Sequence, residues 1–207
     1  MKNIFRVITL MVLVAFFFTA CAKQPTQEMD NAKAAVESVK TAGAEIYAKD
    51  EFKKLNDDLT AALDEVTAQS KKLFKKYGKA KELLARVKSD ADALLPVVAQ
   101  KKEEAKKAAL AAQSEATAAV AEAKELLKKA PRGKGTKADI EAFTADLKAL
   151  DDSLPEVQKA IDTENYLGAA DKAKAIKEKA TGISDQIKKA IEKVKPKPAA
   201  KPAPKKK

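Results

Sequence analysis

The chain has 207 residues, with 41 Lys and Arg against 30 Asp and Glu, for a formal net charge of +11. It holds no His, no Trp and one Cys. The commonest metal ligand and general base is therefore missing, and neither an internal disulfide nor a thiolate cluster can form. No enzymatic activity, no metal site and no cofactor are expected.

The first element is a leader. Lys2 and Arg6 give a basic start, and Val7 to Phe18 is an apolar run broken only by Thr9. Such a run is well short of the ~20 residues that cross a bilayer as a helix. A basic start, a short apolar run and small residues at its end read as an export signal over residues 1–20, to be left out of fold reasoning. Phe18-Thr19-Ala20-Cys21 resembles the bacterial lipobox, usually Leu-small-small-Cys, with Phe in place of Leu. That resemblance implies diacylglycerol on the Cys21 thiol, removal of the leader, and palmitate-type acyl chains on the mature end. The competing reading is ordinary cleavage after Ala22, because Ala20-Cys21-Ala22 is also small-x-small. By resemblance to enterobacterial lipoproteins, Ala22-Lys23 lacks the Asp signal for inner-membrane retention. The implied location is the outer membrane, facing the periplasm. More than one acyl chain is needed for stable anchoring, and mature lipoproteins of this kind carry three.

Residues 21–29 read as a polar, lipidated tether. Helical periodicity follows, with apolar residues at spacings of three and four. Ala32, Ala35, Val36, Val39, Ala42 and Ile46 define the first face. Phe52, Leu55, Leu59, Ala62, Leu63, Val66, Leu73 and Tyr77 define the second, with Asp50 as the expected N-cap. A turn at Tyr77-Gly78 opens a third stretch: Ala80, Leu84, Val87, Ala91, Leu94, Val98, Ala105, Ala109, Ala112, Ala116, Val120, Ala123 and Leu127. Pro96 lies inside it, so a kink or break near 92–96 is expected; uninterrupted, the helix would be about 75 Å long at about 1.5 Å per residue. Pro131-Arg132-Gly133-Lys134-Gly135 is a loop. Thr136 then opens a fourth helix, with Asp139 as a capping-box partner. Its face is Ile140, Phe143, Leu147, Leu150, Leu154, Val157 and Ile161, and Pro155 should bend it or start a new helix. A turn at Thr163-Glu164-Asn165 leads to the last face, Leu167, Ala170, Ala173, Ile176, Ala180, Ile183, Ile187 and Ile191. No stretch alternates with period two.

The expectation is an all-α fold: an elongated, coiled-coil-like bundle of antiparallel helical hairpins with thin, Ala-lined cores, ending in a disordered Lys/Pro tail. The expected segments are 30–130 as a first hairpin region containing the long helix, 131–136 as a loop, 137–193 as a second hairpin region and 194–207 as the tail. At an offset of 89 residues, Tyr77 falls on Tyr166, and Ala80, Leu84, Val87, Ala91, Leu94 and Val98 fall on Ala169, Ala173, Ile176, Ala180, Ile183 and Ile187. Either the hairpin is duplicated, or two amphipathic helices share a register by virtue of their common period.

Ala42-Gly43-Ala44-Glu45-Ile46-Tyr47-Ala48-Lys49-Asp50-Glu51-Phe52, with the Ala-spaced helices around it, resembles an uncharacterised bacterial envelope family, the domain of unknown function 4398. The resemblance covers roughly 30–95, with an echo in 117–190, and Lys49 stands where that family is expected to have Pro. It implies Ala-rich helical hairpins, often on lipoproteins, and no activity.

The charge is unevenly placed. Setting aside the two bases of the leader and the seven lysines of 193–207 leaves 32 basic against 30 acidic residues in 21–192. The excess sits in the tail, where four Pro favour an extended chain. Lys195, Lys197, Lys201, Lys205, Lys206 and Lys207 are the candidate residues for binding an anionic polymer through counterion release. Outside the inner membrane that polymer is peptidoglycan or lipopolysaccharide, and nucleic acid is not expected. The plain alternative is a solubilising tail. The terminal Lys207 gives a weak likeness to Braun-type murein lipoprotein, which is linked covalently to peptidoglycan through a C-terminal Lys; this body is much longer. Gly133-Lys134-Gly135-Thr136 lacks the spacing of a phosphate loop. The acidic pairs Asp57-Asp58, Glu103-Glu104 and Asp151-Asp152 point away from each other on a helix and read as surface charge. Two functions remain: a non-enzymatic lipoprotein tethering the outer membrane to the periplasm and peptidoglycan, or an accessory subunit whose helical faces dock a protein partner in an envelope transport or assembly complex.

Overall fold

The computed structural model of the chain describes residues 23–131 and 136–194. They form six helices, and there is no β-strand among the described residues: α1 (Thr26–Thr41), α2 (Ala44–Tyr47), α3 (Lys49–Ser70), α4 (Gly78–Lys128), α5 (Lys137–Asp162) and α6 (Tyr166–Val194). The fold is all-α. The chain divides into two compact units inside α4, between residues 102 and 103.

The first unit is built from α1, α2, α3 and the first half of α4. Ala32, Val36 and Val39 of α1, Phe52, Leu55, Ala62 and Val66 of α3, and Tyr77 to Val98 of α4 at three- and four-residue spacing form one buried cluster. Interhelical ion pairs give the helix directions. Lys101 pairs with Glu51 and Lys79 with Glu65, so α3 and α4 are antiparallel; Lys81 pairs with Glu28, so α1 runs with α4. The second unit repeats this plan. Gln113 donates to Gln158 and Lys124 pairs with Asp151, so the end of α4 and α5 are antiparallel. Lys177 pairs with Glu115 and Lys188 with Glu122, so α6 runs with α4.

The α1–α3 connection departs from a single continuous face through Ile46. Gly43 has φ +101°, a left-handed conformation that suits Gly, and its N–H donates to the Lys40 carbonyl. A β-carbon there would stand 3.2 Å from the Tyr47 ring. The chain restarts as the single turn α2, which buries Ala44 and leaves Ile46 59% exposed, and Ala48 after it is buried. The N-cap of α3 is Ala48, not Asp50; Asp50 lies in the first turn, where its charge complements the helix dipole. Likewise α1 begins at Thr26, four residues inside the segment expected as tether.

The α3–α4 connection is the largest departure. Helix α3 stops at Ser70, although Leu73 keeps the heptad spacing from Val66. Ser70 Oγ donates to the Thr67 carbonyl and the Lys72 N–H to the Gln69 carbonyl, tightening the last turn. Leu73 emerges 86% exposed, whereas Tyr77 is buried as expected.

Neither Pro96 nor Pro155 breaks its helix: α4 is continuous over 51 residues and α5 over 26. Each Pro removes one backbone hydrogen bond, and the flanking buried residues, Leu94 and Val98 or Val157 and Ala160, keep the helix in the bundle. Thr136 is the N-cap of α5, and its hydroxyl donates to the Pro131 carbonyl instead of accepting from a backbone N–H of the first helical turn. The 163–165 turn is a Schellman ending. Glu164 has φ +58°, Asn165 N–H donates to the Ala160 carbonyl and Glu164 N–H to that of Ile161. Asn165 Oδ1 then accepts the Gly168 N–H and caps α6. A β-carbon at Gly168 would lie 2.7 Å from the Asn165 amide, so Gly is needed for this cap.

Leu84→Ala, at a site 1% exposed, should lower unfolding free energy by about 2–5 kcal/mol. Leu73→Ala should change it by no more than about 0.5 kcal/mol. Urea denaturation of the two variants followed by circular dichroism checks both values.

Candidate functional site

Cys21 and the tail lysines Lys195, Lys197, Lys201, Lys205, Lys206 and Lys207 lie outside the described residues. What the structure gives is the start of the body that follows Cys21. Pro25 is buried at the head of α1, and Gln24 Nε2 donates to Met29 Sδ at 3.8 Å. Lys81 Nζ lies 2.8 Å from Glu28 Oε1 and ties the first turn of α1 to the first turn of α4. The loop 71–77 leads directly into that same turn of α4. The beginning of α1, the end of α3 and the loop 71–77 therefore share one end of the first unit.

That end carries six lysines without an acidic residue between Lys71 and Lys81. Two are neutralised, Lys79 by Glu65 and Lys81 by Glu28. Lys71, Lys72, Lys75 and Lys76 close no ion pair with a described residue, and between them stand Leu73 and Phe74, the latter 67% exposed. Spacing alone assigned Leu73 to a buried face. The readable signal was composition: Lys-Lys-Leu-Phe-Lys-Lys sets two apolar residues inside four like charges, a poor stripe for a thin core.

Elsewhere the surface is a mixed-charge helix surface. Asp57 and Asp58 pair with Lys53 and Lys54, each at 2.6 Å, and Asp151 with Lys124 at 2.7 Å, so these carboxylates are engaged locally. An open groove lies in each unit. In the first it has a volume of about 510 Å³ and lies between α3 and α4, lined by Glu51, Lys54, Leu55, Asp58, Arg86, Asp90, Ala93, Leu94 and Val97. In the second it is about 310 Å³, between the end of α4 and α5, lined by Lys124, Leu127, Lys128, Ile140, Thr144, Leu147, Lys148 and Asp151. Lys54 with Asp58 and Arg86 with Asp90 pair in the first groove and Lys124 with Asp151 in the second, and neither groove holds a nucleophile beside a base. Among the described residues no three of His, Cys, Asp and Glu gather to hold a metal ion. No described helix is long and apolar enough to cross a membrane.

The interhelical carboxylates are tuned by their partners. Lys81 beside Glu28, Lys101 beside Glu51 and Lys177 beside Glu115 hold these carboxyls below the ordinary glutamate range, chiefly by hydrogen bonding. For Glu65 the Gln69 amide contributes most, then Lys79.

No protein-family model, no curated protein and no solved structure matches the chain.

The lowered carboxyls make an acid-limb prediction. A group whose pKa is depressed on folding adds stability that is complete above its unfolded value and is lost as pH falls through the folded value. The urea midpoint should therefore drop on acidification through and below the ordinary glutamate range. The combined Glu28→Gln, Glu51→Gln and Glu115→Gln variant should show a shallower drop. Added salt should narrow the difference, because these pairs are at the surface.

Proposed function

We propose that the chain is a non-enzymatic lipoprotein of the bacterial envelope, anchored through lipid on Cys21, and that its helical units act as a structural tether between the outer membrane and the periplasmic cell wall. The observation that carries this reading is the order of parts. An apolar leader ends in the single Cys of the chain, a nearly neutral all-α body follows at once, and a Lys/Pro tail closes it. Both ends have attachment chemistry, a thiol that takes lipid and a cationic arm suited to peptidoglycan carboxylates or lipopolysaccharide phosphates. The likeness to the Ala-rich helical hairpins of domain of unknown function 4398 belongs to the same proposal.

The geometry supports it at one point. Thr26 follows Cys21 by only five positions, a chain that reaches about 18 Å at full extension. A lipid on Cys21 would hold the beginning of α1 against the membrane surface. The second reading, an accessory subunit that docks a protein on a helix face, needs an apolar patch on such a face. The exposed large apolar residues on helices of more than one turn, Val97, Leu110 and Leu167, stand singly, and the adjacent pair Leu73-Phe74 is in a loop.

Cells fed a radiolabelled lipid precursor should label the wild-type protein and not Cys21→Ala. Label retained on the variant, or absent from both, would remove the anchor. Deleting 194–207 should abolish salt-sensitive co-sedimentation with purified peptidoglycan. Binding that is unchanged, or absent in both forms, would remove the tail from the tether.

A further inference from the structure

We propose that the loop 71–76 is a second membrane contact, in which Leu73 and Phe74 enter the interface of an anionic phospholipid leaflet while Lys71, Lys72, Lys75 and Lys76 bind its headgroup phosphates.

Three observations converge on it. Leu73 and Phe74 are the two most exposed large apolar side chains among the described residues. A folded soluble surface ordinarily hides such a pair. The four flanking lysines close no ion pair with a described residue, and the run 71–81 that holds them contains no acid. Apolar side chains ringed by unmatched ammonium groups suit an anionic bilayer, which offers an acyl boundary directly beneath a layer of phosphates. A protein groove would have to supply both an apolar pocket and four acids around it.

The third observation is position. The Glu28–Lys81 pair, at 2.8 Å, fixes the first turn of α1 beside the first turn of α4, and the loop is the segment that enters α4. The loop is therefore on the end of the first unit that Cys21 precedes by a few residues. A lipid on Cys21 would bring Leu73 and Phe74 to the bilayer at high effective concentration, so a weak loop contact becomes effective. In that respect the inference rests on the anchor proposed above. Tyr77, buried at 3% exposure, fixes the end of the loop to the core and limits its freedom to fold back over its own apolar tip.

The chain contains no Trp, so Phe74→Trp places a single reporter indole at the tip. The full protein, as purified from cells, is reconstituted with vesicles of phosphatidylcholine alone or with phosphatidylglycerol added. The expected result is a blue shift of the Phe74→Trp emission and quenching by brominated acyl chains, both stronger with phosphatidylglycerol. Replacing the four lysines by Gln should remove most of the shift, and raised salt should reduce it. Val97→Trp, on α4 toward the opposite end of the first unit, should stay unshifted in both vesicles. Mass spectrometry of the same preparation reads acylation of Cys21 separately. A shifted tip indole on an unacylated chain supports the loop contact and sinks the anchor. An unshifted tip indole on an acylated chain overturns the loop contact and leaves the anchor standing. A shift equal in both lipids, or one shared by the Val97→Trp variant, overturns the anionic-leaflet assignment.

Discussion

The structure depends on how closely Ala lets two helices approach. On the part of α4 that belongs to the second unit, the buried positions are Ala105, Ala109, Ala112, Ala116, Val120 and Ala123. A methyl group buries little area, about a third of what Leu contributes, so this helix brings almost no hydrophobic mass of its own. The bulk comes from the helices packed on it, through Leu147, Leu150, Val157 and Ile161 of α5 and Ile176, Ile183 and Ile187 of α6. Small side chains on one helix and large ones on the others together make up a thin core. The consequence is that stability rests on a few large residues. Truncating one costs much, while the numerous exposed ion pairs contribute little each.

The same constraint explains the resemblance between the units. Tyr77 and Tyr166 are both buried at the head of a helix, and all six pairs from Ala80/Ala169 to Val98/Ile187 are buried on both sides. Each unit has a third member beside the repeated pair of helices. In the first it is α1, with Ala32, Val36 and Val39 buried; in the second it is the end of α4, with Ala116, Val120 and Ala123 at the same four-then-three spacing. The units are thus three-helix arrangements with equivalent directions, and α4 serves as last helix of one and first helix of the other. The division therefore falls at 102/103, inside a helix, and not at the Pro/Gly-rich segment 131–136, which only joins two helices of the second unit.

Much of this was legible in the sequence, because a buried helix face leaves a period. From Ala80 to Ala123 every apolar position singled out by spacing is buried. The exceptions are instructive. Period cannot place a helix end, so Leu73 and Ile46 were carried past the true stops at Ser70 and Thr41. In one case the stop is set by a tightened last turn in a sequence that is locally compatible with helix, in the other by a left-handed Gly43. Nor can it mark the division within α4, because the pattern runs through it with nothing to interrupt the register. Pro96 and Pro155 carry a real backbone cost, but tertiary packing on either side outweighs it. The candidate site was legible only as a composition, four lysines around Leu-Phe; its exposure needed the helix ends to be known.

Electrostatics then separates this loop from the remaining surface. Over 21–192 the charges nearly cancel, and the interhelical pairs show how: Glu28, Glu51, Glu65, Glu115 and Asp151 each meet a lysine on another helix. Matching of this kind leaves a weak field at distance, since opposite charges a few ångströms apart are screened together. At the 71–81 end Glu28 and Glu65 pair with Lys81 and Lys79, Lys72 acts on Glu65 without closing an ion pair, and the four lysines of the loop stay without a carboxylate contact of their own. Unmatched like charges repel one another and weaken the fold; the bundle could have reduced that cost with an acid anywhere in 71–76. It has instead Leu73 and Phe74 between them, which adds exposed apolar area to uncompensated charge. Both costs fall only on a surface that is anionic above and apolar beneath, and that is the physical reason for seeking the partner of this end in a bilayer.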